Sequence, residues 1–164
     1  MKKISGIVLV AAVILIIFSG CSKAARYDTG TFSISLAEGW SPKENRSAED
    51  LYGGDILKIE KRSASPLGEG TSAYYPLMII ERHDKGYVKQ EDMIHHYRSD
   101  GIVKIKDTEY VIQRADYLGF VYQYISYDKG NNTFIVLISV TLEGKFIDIS
   151  FEDKDVQEMI LSLK

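Results

Sequence analysis

Residues 120–142 read FVYQYISYDKGNNTFIVLISVTL. Two runs rich in aromatic and β-branched side chains, 120–127 and 133–142, flank Asp128, Lys129, Gly130, Asn131 and Asn132. Such side chains suit a pleated surface, and Gly and Asn accept the left-handed backbone of a tight turn, so the layout predicts a β-hairpin. Alternation along the first run sets Phe120, Tyr122 and Tyr124 on one face and Val121, Ile125 and Tyr127 on the other.

Outward from this hairpin, 109–114 and 145–151 add two more strand-like runs, the second reached through the turn pair Glu143 and Gly144. A helix then closes the chain. Val156, Met159, Ile160 and Leu163 fall at i, i+3, i+4 and i+7, and Asp155 with Glu158 resembles a capping box. An isolated helix of about ten residues is marginal in water, so its apolar stripe has to lie on the sheet.

Toward the N-terminus, Phe32, Ile34 and Leu36 alternate with Ser33 and Ser35, which predicts a half-buried strand over 31–36, ended at Gly39. The polar stretch 41–54 reads as a long loop with a helical turn near 48–51, and 55–61 as a second strand. Pro66, Gly68 and Gly70 mark 63–75 as irregular, and the unbroken Leu77, Met78, Ile79 and Ile80 suit a central strand covered on both faces. Met93, Ile94 and Tyr97 predict a helix over 89–100, stopped at Gly101. The expectation is an α+β fold: one antiparallel β-sheet packed with helices, without internal repeats.

The ends of the chain differ in character. Lys2 and Lys3, an apolar run over 7–18, and the small residues Ser19 and Gly20 before Cys21 have the layout of a secretory signal. The apolar run falls short of the ~20 residues that span a bilayer. Removing such a leader takes away two lysines and no acid, so a chain of formal charge −3 becomes two units more acidic. Basic residues such as Lys58, Lys61 and Arg62 are interspersed with acids, against the clustered cations that nucleic-acid binding requires. A single cysteine excludes an internal disulfide, and a mature chain of roughly 140 residues buries enough surface to fold without one.

Phe18, Ser19, Gly20 and Cys21 resemble the lipobox of bacterial lipoproteins, with Phe18 in place of the usual Leu. The resemblance implies a signal peptide over 1–20, diacylglycerol and a fatty acid such as palmitate on Cys21, and a short linker over 21–30. The competing reading makes Cys21 incidental in an ordinary cleaved signal. Nine residues from Ser22 to Gly30 reach only about 30 Å, so the body stays near the lipid surface. The implied location is the bacterial cell membrane or outer membrane, lipid-anchored and facing the extracytoplasmic side.

Residues 30–40, GTFSISLAEGW, resemble the opening strand and Gly-Trp turn of PsbP-like domains, and a late meander leading to a closing helix with Ser162 and Leu163 fits the same family. Ala37 stands where a Pro often precedes that turn. The resemblance implies an α/β/α sandwich over 31–164 whose relatives, the photosystem II extrinsic subunit among them, bind proteins and share no known active site.

Candidate binding residues each carry two readings. Trp40 serves recognition or plugs one end of the core. Tyr122 and Tyr124 form an exposed protein-binding row or lie beneath a helix. Glu91, His95 and His96 can share a helical face as metal ligands, yet zinc needs three or four ligands and the remaining histidine, His83, sits on another element. Asp128, Asn131 and Asn132 look faintly like a calcium loop but lack the spacing of an EF-hand, which leaves a hairpin turn. No Gly-x-Ser-x-Gly elbow or phosphate-cradling glycine loop is present. The expected function is therefore a non-enzymatic envelope lipoprotein, without a cofactor, whose partners are the membrane and a protein. The alternative is a small-molecule or metal-binding lipoprotein.

Overall fold

The structure, a computed structural model, describes residues 24–47, 55–61, 77–88, 98–117, 120–142 and 145–164. Among these, ten strands and one helix follow in order: β1 (Ala25–Asp28), β2 (Ser33–Leu36), β3 (Trp40–Ser47), β4 (Asp55–Lys61), β5 (Met78–Asp84), β6 (Arg98–Ile105), β7 (Thr108–Tyr117), β8 (Phe120–Lys129), β9 (Asn132–Leu142), β10 (Lys145–Phe146) and α1 (Lys154–Ser162). The large sheet runs β3-β4-β5-β9-β8-β7-β6, every neighbour antiparallel, with β10 on the end of β9. β1 and β2 form a separate two-stranded ribbon.

The 120–142 hairpin forms as its residues dictate. Lys129 pairs with Asn132 across Gly130 and Asn131, and Gly130 has φ 62°, the left-handed value a two-residue turn needs. β9 is the spine of the sheet, hydrogen-bonded to β5 on one side and β8 on the other, and Phe134 through Ile138 are all nearly or fully buried. The two faces bury different sets. One carries Leu57, Ile59, Met78, Ile80, Ile125, Phe134, Val136 and Ile138, joined by Trp40, Leu77, Val103 and Ile105, and α1, the β1–β2 ribbon and the segment 147–151 pack onto it. The opposite face holds a smaller cluster of Ala115, Tyr124, Ile135 and Leu137.

α1 obeys its periodicity. Val156, Met159, Ile160 and Leu163 are all buried, at about 2 kcal/mol per side chain taken out of water, which gives a nine-residue helix a stability it lacks alone. Its start differs from the expected capping box. Asp153 is the N-cap, and its carboxylate accepts from the Ser150 N–H at 3.0 Å instead of capping the helix. Asp155 lies inside the first turn and is engaged elsewhere.

The expected α+β sandwich is overturned, and with it the PsbP-like α/β/α architecture: the described residues are mostly strand, with α1 the one helix. Residues 98–100, expected to end a helix, begin β6. Gly101 is not a helix stop but a β-bulge, at φ 131° where the register with β7 shifts. The stretch 41–47, expected as loop, is edge strand β3. Its polar sequence carries no alternation because only β4 pairs with it, and Pro42 is accommodated at a bulge between Pro42 and Glu44. The run 145–151 is strand for two residues only. Ile147, Ile149 and Phe151 still alternate into the core, but Ile147 alone continues toward β9, donating to the Val140 carbonyl at 3.1 Å.

Strand β1 lies inside the segment expected as linker, pairing from Ala25↔Leu36 to Asp28↔Ser33. The leader 1–20, Cys21, the helical turn near 48–51, the loop 63–75 and the apolar triad Met93, Ile94 and Tyr97 lie outside the described residues. No described helix is long and apolar enough to cross a membrane.

Candidate functional site

Gly39, at φ 81°, turns the chain so that Trp40 opens β3 with its ring in the core, 6% exposed. β3–β4 pairing sets Trp40 opposite Lys61, whose ammonium lies 5.4 Å from the ring centroid. α1 brings the third member: Asp155 Oδ2 accepts from Trp40 Nε1 at 2.7 Å and from Lys61 Nζ at 2.7 Å, while Oδ1 accepts from the Val156 N–H at 2.9 Å. Burial pushes the Asp155 carboxyl up, but the hydrogen bonds from Lys61 and Trp40, the Lys61 charge and the Val156 N–H outweigh it and hold the group below its ordinary 3.8. Lys61 and Asp155 also line a cleft of about 580 Å³ together with Glu38, Asp148, Asp153, Lys154 and Glu158.

A depressed folded pKa means the charged form contributes stability above pH 3.8, and that contribution is lost as pH falls through the lower folded value. Asp155→Asn is therefore expected to cost about 1 kcal/mol at pH 7, less than a buried charged hydrogen bond because water reaches the carboxylate. At pH 3 the difference narrows. Urea unfolding followed by the fluorescence of the single tryptophan measures both, and an equal gap at the two pH values would contradict the linkage.

The tyrosines of β8 divide as the alternation requires. Tyr127 joins the main core, and its hydroxyl donates to the Ile160 carbonyl at 3.2 Å, with burial and then Tyr110 holding its ionisation far above the usual phenol range. Tyr124 faces the other way and is 4% exposed, donating to Gln113 Oε1 at 2.7 Å; Tyr122 is half-buried beside it. An exposed tyrosine row is not what the structure presents, and Trp40 is likewise core.

His83 is 3% exposed, with Nε2 3.2 Å from Glu81 Oε2 and its ring stacked on Tyr87 at 3.7 Å. Glu91, His95 and His96 lie outside the described residues. Among the described residues, no group of three or more His, Cys, Asp or Glu side chains is placed to hold a metal ion. Two of the suspected calcium-loop side chains are engaged within the sheet: Asp128 Oδ1 accepts from Thr133 Oγ1 at 2.6 Å, and Asn132 Oδ1 from Arg82 Nε of β5 at 3.0 Å.

The apolar side chains left in water are elsewhere. Val103 and Ile105 of β6 are buried in the main core, so Ile102 projects from the opposite face, 64% exposed, directly across from Val111 of β7 at 52%. Lys104 stands opposite Glu109 two register positions on, on the same face. An apolar cross-strand pair with a charged pair beside it suits a protein interface, where an apolar centre is ringed by polar groups. Sequence reading missed this pair because the expected helix ran to residue 100 and residues 102–108 were left unassigned; Val103 and Ile105 on either side of Lys104 were the available signal.

No protein-family model and no curated protein matches the chain. Among solved structures it is similar to a crystal structure from Bacteroides thetaiotaomicron VPI-5482, at 14% identity and a TM-score of 0.41 over 87% of this chain and 47% of that one. The chain thus spans about half the length of that structure, and a likeness of this degree assigns no function.

Proposed function

We propose that the protein is a membrane-tethered, non-enzymatic lipoprotein that presents a protein-binding surface at the cell envelope and aids assembly or stability of a membrane complex. The observation that carries the reading is the short interval between the lipobox-like cysteine and the first strand. Ala25, already paired with Leu36, is four residues beyond Cys21, a reach of at most about 14 Å. That is half the tether expected from the sequence. Acyl chains on Cys21 would hold the folded body against the bilayer, where a partner in the same membrane is encountered repeatedly.

The Ile102–Val111 pair is the surface offered to that partner. Crosslinking on intact membranes tests it: a specific adduct is expected with the natural chain and at least a tenfold smaller yield with Ile102→Lys and Val111→Lys combined, since losing a central apolar contact costs 1–2 kcal/mol or more. Both positions face water, so the variant keeps its fold. An adduct of undiminished yield would remove the Ile102–Val111 pair from the proposal.

A further inference from the structure

The two ends of α1 differ in charge. At its start lie Glu38, Asp148, Asp153, Asp155 and Glu158, answered by Lys61 and Lys154. At its end the balance reverses. Lys129 Nζ donates to the Leu161 carbonyl at 3.0 Å. Lys164 exchanges two backbone hydrogen bonds with Ser33, both 3.0 Å, and the Ser33 hydroxyl accepts from Arg26 Nη2 at 2.6 Å. Ser33 thus gathers Arg26 and Lys164 beside the helix end that Lys129 caps, and none of the three cations is ion-paired among the described residues. Burial and then the nearby Lys164 charge lower the Lys129 pKa. The one carboxylate that β1 adds is Asp28, which accepts the Gly30 N–H at 2.8 Å.

Capping of a helix C-terminus accounts for Lys129 but not for the exposed Arg26 and Lys164. Arg26 is five residues past Cys21, so an acyl-bearing sulfur would lie within about 18 Å of it whatever path the chain takes, and Lys23 adds a further cation in between. That reach admits either end of α1 to the bilayer. Charge selects between them, since an anionic surface repels the carboxylate-rimmed cleft and attracts the cationic end within a Debye length of roughly 10 Å.

We propose that the Arg26–Lys129–Lys164 end of the domain seats on anionic lipid headgroups, orienting the body on the bilayer. The proposal rests on the lipid anchor at Cys21. The test uses the full chain, acylated in cells and reconstituted into vesicles of phosphatidylcholine alone or mixed with phosphatidylglycerol, with amine labelling of individual lysines read by mass spectrometry. Labelling of Lys129 and Lys164 is expected to be at least about fivefold slower on the anionic vesicles, the effect of one cation at such a surface, and to recover in high salt. Lys154, at 88% side-chain exposure beside the cleft, labels equally on both. Arg26→Gln, which alters neither reporter, weakens the protection about fivefold. Equal labelling on the two vesicles, or protection of Lys154 in place of Lys129 and Lys164, would overturn the orientation. The same digest reads the acyl mass on Cys21: with it present a failed orientation leaves the anchor standing, and with it absent both fall.

Discussion

Ile160→Asp is expected to leave the protein unfolded at 25 °C. Ile160 is 2% exposed at the centre of the α1 stripe, and Val156, Met159 and Leu163 around it are fully buried. An aspartate there forfeits about 2 kcal/mol of apolar burial and places a carboxylate among hydrocarbons, at a cost of several kcal/mol more. The sum reaches the 5–15 kcal/mol that holds a typical domain together. Position, and not the change of residue, makes the difference: Leu161→Asp, on the same helix but 45% exposed, is expected within about 0.5 kcal/mol of the natural chain. Circular dichroism during thermal unfolding measures both. A melting temperature for Ile160→Asp within a few degrees of the natural value would contradict the packing of α1.

Trp40→Ala is expected to cost about 3–5 kcal/mol, the range for removing a large aromatic from a core. Part of that loss is polar, because Asp155 and Lys61 keep each other while one acceptor position falls vacant. Trp40→Phe separates the two parts: a smaller aromatic ring remains in the core, the indole N–H does not, and the expected cost falls to about 1–2 kcal/mol. Urea unfolding followed by circular dichroism gives the ladder. Near-natural stability of the alanine variant would return Trp40 to a recognition role.

The strands that could be read from sequence are those whose own side chains carry the pattern. β8 and β9 announce themselves by aromatic and β-branched runs around a Gly-Asn turn, and α1 by its stripe. The elements that escaped are held by partners. β3 is a polar edge strand with Pro42 at a bulge, β6 opens on Arg98, Ser99, Asp100 and Gly101, and β1 is the tetrapeptide ARYD, exposed but for Tyr27. Each becomes a strand because a neighbour supplies the ladder, a long-range effect that local propensity does not encode. Missing β3, and reading 98–100 as the end of a helix where they open β6, turned a mostly-β fold into an α+β expectation.

The site shows the same division. A core role for Trp40 follows from one large aromatic beside a strand end, but its partners do not: Asp155 is 115 residues away, and Lys61 faces Trp40 only through the unforeseen β3–β4 pairing. The exposed Ile102–Val111 pair required β6 to be recognised first.

Intact and peptide mass spectrometry of the protein extracted from native membranes is the most direct test of a body tethered through Cys21. The expected result is a mature chain beginning at Cys21, with a diacylglyceryl thioether on its sulfur. A free thiol at that position, or a chain beginning downstream of it, would contradict the tether.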